Sequence, residues 1–202
     1  MSPAILGIAF ISLFLVELPD KTFLATLVLS TKYRPLLVWI GVGLAFAVQT
    51  GIAVAFGGVI SLLPAAVVHT VAGLMFVAGA VLLFREGMSS RSEADEEAEE
   101  EAEFAEKARP AVGARQILAS FLVIFAAEWG DLSQLLTVSM VAKYKHPVSI
   151  FVGGWAALLI VSGLAAVAGR SLLRYIKLHI LHFLGATVCV VLGVYTLVEV
   201  LT

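Results

Sequence analysis

The feature that most limits the fold of this chain is a series of six apolar stretches, each long enough to cross a lipid bilayer. A membrane-spanning helix needs about 20 predominantly apolar residues. Of the 202 residues, 60% are hydrophobic and 14% are charged, whereas a soluble domain contains about 25% charged residues. The sequence therefore predicts an all-α membrane protein. The six stretches cover approximately residues 4–30, 36–62, 65–84, 115–141, 148–169 and 176–200.

Polar motifs interrupt the first and fourth stretches at equivalent positions. The first contains ELPDKT (17–22) and the fourth contains EWGDLS (128–133). Similar residues recur at a constant offset of 111, and the pairs are Glu17/Glu128, Asp20/Asp131, Thr22/Ser133, Thr26/Thr137, Lys32/Lys143 and Tyr33/Tyr144. The chain is therefore expected to consist of a first three-helix repeat (1–84), a linker (85–113) and a second three-helix repeat (114–202).

An odd number of spans in each half determines how the halves insert. Three spans leave the chain on the side of the membrane opposite to the one where it started. The second half must therefore enter the membrane with reversed orientation. The predicted fold is therefore six transmembrane helices arranged as two inverted three-helix repeats. Such repeats are typical of secondary transporters, whose substrate site lies near the bilayer midplane.

The basic residues predict the orientation. Ten of the 13 lysines and arginines lie in the first, third and fifth loops, and two lie in the fourth. Because basic loops stay in the cytoplasm, we expect a multi-pass protein of the cell (inner) membrane with both termini outside.

The linker is acidic and is expected to be cytoplasmic. It holds ten of the 15 acidic residues. Its composition favours a solvated surface helix or a flexible tether, and the alternative is a cation-attracting or regulatory arm.

The two motifs place carboxylates in the middle of apolar stretches, where an ionised side chain is energetically unfavourable. Glu17 and Glu128 fall at the midpoints of their stretches, and an ionised side chain there costs about 2.5–3.5 kcal/mol on insertion scales. These acids must therefore face inward and take protons or bind a cation. In a helix, the spacing of i and i+3 would put each Glu and its Asp on one face. Pro19 and Gly130 would open the two helices beside them.

Oxygen atoms dominate the side chains of both motifs. An all-oxygen site suits hard divalent cations such as Ca²⁺ or Mn²⁺. The alternative is that the acids only pair with Lys21 or cap broken helices. The predicted metal ligands are Glu17, Asp20, Glu128, Asp131, Thr22, Ser133 and Gln134.

The doubled motif resembles the E-x-G-D-[KR]-[ST] pair of the Golgi-type manganese/calcium–proton exchangers and their bacterial relatives, within the lysine-exporter superfamily. The resemblance implies export of Mn²⁺ or Ca²⁺ from the cytosol in exchange for protons, with the family's functional acids at Glu17, Asp20, Glu128 and Asp131. Two positions depart from the family pattern. Pro19 replaces a glycine, and Leu132 replaces a basic residue.

Other functions are weighed against cation transport. An exporter of amino acids or other small solutes, an intramembrane aspartyl protease and a regulatory subunit are the alternatives. The preferred interpretation is not an enzyme and needs no cofactor, because the cation is the substrate. Its expected partners are the divalent cation, protons and the lipid bilayer, without nucleic acid. The sequence does not decide between Mn²⁺ and Ca²⁺ or fix the oligomeric state.

Overall fold

The computed structural model describes residues 1–18, 21–88, 99, 102–108, 110–173 and 178–201. Helices and short connections account for all of these residues, so the all-α prediction is confirmed. The helices are α1 (Pro3–Glu17), α2 (Lys21–Lys32), α3 (Pro35–Ile60), α4 (Ala65–Gly87), α5 (102–107), α6 (Arg115–Ala127), α7 (Leu132–Tyr144), α8 (Pro147–Leu173) and α9 (Leu178–Leu201).

Local signals explain several of the boundaries. Pro3 and Pro35 begin their helices, as expected for a residue whose fixed φ suits the first helical turn and whose missing N–H is not needed there. Lys145, with φ 55° and ψ 32°, ends α7 in the left-handed conformation.

Both motif-containing stretches are bent pairs of helices. The axes of α1 and α2 meet at 70°, and those of α6 and α7 meet at 74°. The breaks fall within the two motifs, where Pro19 and Gly130 were expected to open the helices. Pro19 itself lies outside the described residues.

Three described helices have the length and apolar composition to cross a membrane: Pro35–Ile60, Ala66–Arg85 and Pro147–Val167. Counting each bent pair as one span raises the number to five, and the apolar part of α9, Gly185–Val198, is shorter. Large apolar side chains such as those of Phe56 and Val167 are exposed, which suits contact with lipid rather than water. The protein is therefore a membrane protein.

Close helix crossings join the first half of the chain to the second. In α3, Gly41 lies against α6, and a Cβ atom there would overlap the carbonyl oxygen of Ile117. In α8, Gly153 lies against α1, and a Cβ atom there would overlap the carbonyl oxygen of Leu6. Small residues permit such backbone contact in membrane proteins. Packing between α4 and α9 is also extensive.

Part of the acidic linker packs into the protein. Phe104 in α5 is only 3% exposed and belongs to a buried cluster that includes Phe23 and Leu27 of α2 and Ile124 of α6. The segment is a largely exposed surface helix, as one of the expectations had it, but its apolar side chain at Phe104 is removed from solvent. Residues 89–98, which hold many of the linker acids, lie outside the described residues.

Candidate metal centre

Three carboxylates from the two motifs meet where the bent helices approach each other. One oxygen atom from each of Glu17, Glu128 and Asp131 lies within 4.8 Å of the others. Glu17 and Glu128 are 0% and 1% exposed, respectively. Asp20, the fourth predicted acid, lies outside the described residues. The structure thus brings together acids that are separated by more than 100 positions in the sequence.

The break between α6 and α7 gives Glu128 and Asp131 their positions. Glu128 follows the last residue of α6, and its N–H bonds to the carbonyl of Ile124. Gly130 then adopts φ +80°, a left-handed conformation that favours glycine. The expectation that the i, i+3 spacing puts Glu128 and Asp131 on one helix face is therefore wrong, because the chain leaves the helix between them.

Asp131 begins α7 as its N-cap. Its carboxylate accepts hydrogen bonds from the N–H groups of Ser133 and Gln134 at 3.2 and 3.1 Å, and from the Ser133 hydroxyl at 2.7 Å. These bonds satisfy donors at the start of the helix and fix the direction of the carboxylate.

The predicted neutral ligands have different roles in this arrangement. The Thr22 hydroxyl donates a hydrogen bond to Oε1 of Glu128 and so joins α2 to the other motif. The Gln134 amide nitrogen donates to the Glu128 carbonyl oxygen at 2.6 Å, and its oxygen accepts from the Gly130 N–H at 3.4 Å. Gln134 therefore holds the loop in shape, and direct metal binding by its side chain stays a prediction.

A buried glutamine in α3 stabilises the break between α6 and α7. Gln49 is 3% exposed, and its amide nitrogen donates to the carbonyl oxygen of Phe125 at 3.1 Å. Phe125 lies in the last turn of α6, where carbonyl groups lack partners within the helix. Gln49 is a polar residue in an apolar helix, and its hydrogen bond joins α3 to α6. Its connection to the candidate centre is visible only in the structure.

The electrostatics of the centre favour a positive ligand. Carboxylates this close repel one another when ionised, and protons or a cation relieve the repulsion. The carbonyl end of α6 adds partial negative charge beside Glu128. An oxygen-rich, buried site of this kind has the ligand chemistry that suits Ca²⁺ or Mn²⁺.

Comparisons with known proteins agree with this chemistry. A sequence profile of the family described as divalent cation/proton antiporter GDT1 matches residues 5–91 and 116–202. The matched segments make up most of the chain, and each contains one motif.

Several curated plant proteins are similar over almost the whole chain. GDT1-like protein 2 of Oryza sativa (chloroplastic) is 29% identical over 93% of this chain and 59% of its own length. The PAM71-homolog of Arabidopsis thaliana (chloroplastic) is 29% identical over 93% of this chain and 57% of its own. GDT1-like protein 5 of Oryza sativa is 28% identical over 88% of both chains. The chain thus spans less than two thirds of the length of these chloroplast relatives.

No solved structure matches the chain. Because the family profile matches two long segments that include both motifs, the chain belongs to the GDT1 family of divalent cation/proton antiporters.

Proposed function

We propose that the chain is a secondary transporter that exports Mn²⁺, Ca²⁺ or both from the cytosol in exchange for protons. The observation that supports this function most directly is the convergence of Glu17, Glu128 and Asp131, whose carboxylate oxygens lie within 4.8 Å of one another. Asp20 is proposed as a fourth ligand, with Thr22, Ser133 and Gln134 as neutral oxygen donors or supports.

The proposed membrane arrangement is two inverted three-helix repeats over residues 1–84 and 114–202, joined by a cytoplasmic linker over 85–113. In this arrangement α1 with α2, and α6 with α7, each form one broken span. The nearly equal bends and the paired glycine crossings support it. The carboxylates then lie near the midplane of the inner membrane, with both chain termini outside.

Exchange follows from the charge of the centre. In the proposed cycle, protons on the crowded carboxylates alternate with the metal ion, because either one removes the repulsion between ionised groups. A divalent cation displaces these protons and keeps the total charge low. The two loaded forms can reorient across the membrane, whereas a centre with several uncompensated charges is costly to move through lipid.

Reconstituted protein tests this function. The full chain is placed in liposomes with a fluorescent pH indicator, and Mn²⁺, Ca²⁺ and Mg²⁺ are added separately outside. We expect Mn²⁺ or Ca²⁺ uptake with proton release, and faster uptake when an outward proton gradient is imposed. Protein-free liposomes and liposomes with Glu17→Gln protein are the controls.

Three outcomes would contradict the proposal. A rate of cation uptake that does not change with the imposed pH gradient would exclude proton exchange. Transport of amino acids without divalent cations would favour the solute-exporter alternative. Cleavage of a peptide substrate by the purified chain would favour an enzyme.

A further inference from the structure

We propose that Thr26 is a further cation-binding residue of this protein, whose hydroxyl contacts the ion or a water molecule on the ion as it moves along α2. This inference rests on the proposed transport function and extends the centre beyond the two motifs.

The position of Thr26 relates it to the metal centre. Thr26 follows Thr22 by four residues in α2, so the two side chains lie on the same face of the helix, about 6 Å apart along its axis. The hydroxyl of Thr22 donates to Glu128. Thr26 is therefore the next polar position from the carboxylates toward the Lys32 end of α2, which is the cytoplasmic end in the proposed orientation.

The hydroxyl of Thr26 is buried without a partner. Thr26 is 0% exposed, and its Oγ1 atom has no hydrogen bond to any part of the chain that the structure describes. Leaving a buried hydroxyl unpaired costs about 1–3 kcal/mol. Such groups are rare in proteins, and a functional role or a bound water or ion commonly explains them.

The related position in the second half provides a comparison within the same molecule. Thr137 occupies the equivalent place in α7 and is 3% exposed. Its hydroxyl donates to the carbonyl oxygen of Ser133 one turn earlier, at 2.7 Å. Threonine hydroxyl groups within a helix commonly donate to the carbonyl oxygen one turn earlier in this way. The Thr26 hydroxyl does not make the corresponding bond to Thr22 and is left available for a ligand.

Thr26→Val separates a ligand role from a packing role, because valine has nearly the same shape without the hydroxyl. Initial rates of Mn²⁺ uptake are measured in liposomes over a range of concentrations. Mn²⁺ binding and thermal unfolding are measured on the detergent-purified full chain. We expect Thr26→Val to raise the KM and the dissociation constant for Mn²⁺ about tenfold, which corresponds to about 1.4 kcal/mol. The unfolding midpoint should stay the same or rise, because an unpaired buried hydroxyl is removed.

Three variants serve as controls. Thr26→Ser keeps the hydroxyl and should restore affinity to within about twofold of the parent. Thr137→Val removes a hydroxyl that is already bonded within its helix, so its effect on affinity should be less than about threefold. Ser120→Ala removes another buried hydroxyl without a described partner, at the contact with Gly41, and should leave Mn²⁺ affinity unchanged.

Parent-like Mn²⁺ binding and transport in Thr26→Val, together with higher stability, would overturn the inference and leave Thr26 as a packing residue. Equal losses in Thr26→Val and Thr137→Val would also overturn it. If Thr26→Val does not fold, Thr26→Ala is judged by the same criteria. Failure of the parent protein to transport any cation would refute the proposed function. Weaker Mn²⁺ binding by Thr26→Val would still support the site in that case.

Discussion

The helices on either side of the two breaks meet at nearly the same angle, although the two motifs contain different residues. Their bends are 70° and 74°, yet the first motif contains Pro19 where the second contains Gly130. Proline removes a backbone donor from the helix, and glycine gives access to a positive φ. The comparison indicates that the acids define the centre, whereas the residue that interrupts the helix can be exchanged for another with a different mechanism.

The matching hydroxyl groups of the two motifs are used differently. Thr22 bonds to Glu128 in the other half of the chain, whereas Ser133 bonds to Asp131 within its own half. The repeat in the sequence therefore does not produce a symmetric centre. In a transporter with inverted repeats, one half moves relative to the other to open the site to each side in turn. Under the proposed function, a single conformation of this chain is therefore expected to be asymmetric in this way.

The largest predicted effect tests whether both halves are equally necessary. Glu17→Gln and Glu128→Gln each remove one charge from the centre while keeping the size of the side chain. We expect each to reduce Mn²⁺ or Ca²⁺ transport in liposomes at least about 100-fold, or about 2.7 kcal/mol at 1.36 kcal/mol per factor of ten.

The control for these changes is Glu99→Gln in the exposed part of the linker, which should transport normally. Loss of transport in only one of the two motif variants would show that the halves contribute unequally.

A smaller effect should separate the two hydroxyl groups. Thr22→Val removes the hydrogen bond from Thr22 to Glu128, and we expect about a tenfold loss of transport, as for one hydrogen bond to a charged group. Ser133→Ala leaves Asp131 its two backbone hydrogen bonds, so we expect a loss of about threefold or less. Uptake rates in liposomes measure the loss of transport in each variant. Equal losses in Thr22→Val and Ser133→Ala would contradict the asymmetric arrangement.

Gly130→Ala tests the conformation of the second break. A Cβ atom at Gly130 meets open space, so the cost comes from its φ of +80°. We expect about 1–2 kcal/mol of destabilisation and a severalfold loss of transport, because the backbone between Glu128 and Asp131 must shift.

Gly113→Ala is a matched control, since Gly113 also has a positive φ (60°) and open space. It should lower the unfolding midpoint by a similar amount and leave transport unchanged. Parent-like transport by Gly130→Ala would show that the loop tolerates another backbone conformation.

The smallest predicted effect on transport concerns the support from α3. Gln49→Leu leaves the Phe125 carbonyl without its donor, and we expect about 1–3 kcal/mol of destabilisation with a two- to threefold change in cation KM. Val161→Ala in α8 is the control for a buried change outside the centre. Thermal unfolding measures the effect of each substitution on stability, and uptake rates measure its effect on transport. An unchanged KM in Gln49→Leu would limit Gln49 to a purely structural role.

Sequence patterns predicted the helical fold and the convergence of Glu17, Glu128 and Asp131 because both follow from strong local constraints. Long apolar stretches can fold in lipid only with their backbone groups paired, and isolated acids at mid-stretch need partners. The offset of 111 between Glu17 and Glu128 then indicated that the two acids belong to one site.

Features that depend on packing between distant segments were not predictable in the same way. The i, i+3 spacing of Glu128 and Asp131 suggested one helical face, but the positive φ of Gly130 takes the chain out of the helix. The burial of Phe104 depends on its packing against α2 and α6, which no local pattern encodes. The unpaired hydroxyl of Thr26 could not be predicted either, because the sequence treats it as equivalent to Thr137.

The two glycine crossings have a consequence for how the protein assembles. At Gly41 and Gly153 the backbone of one half lies directly on the backbone of the other, so neither half covers its own interior when alone. A chain severed within the linker should therefore give two fragments that assemble only with each other, and each fragment acts as the template on which the other acquires its final shape.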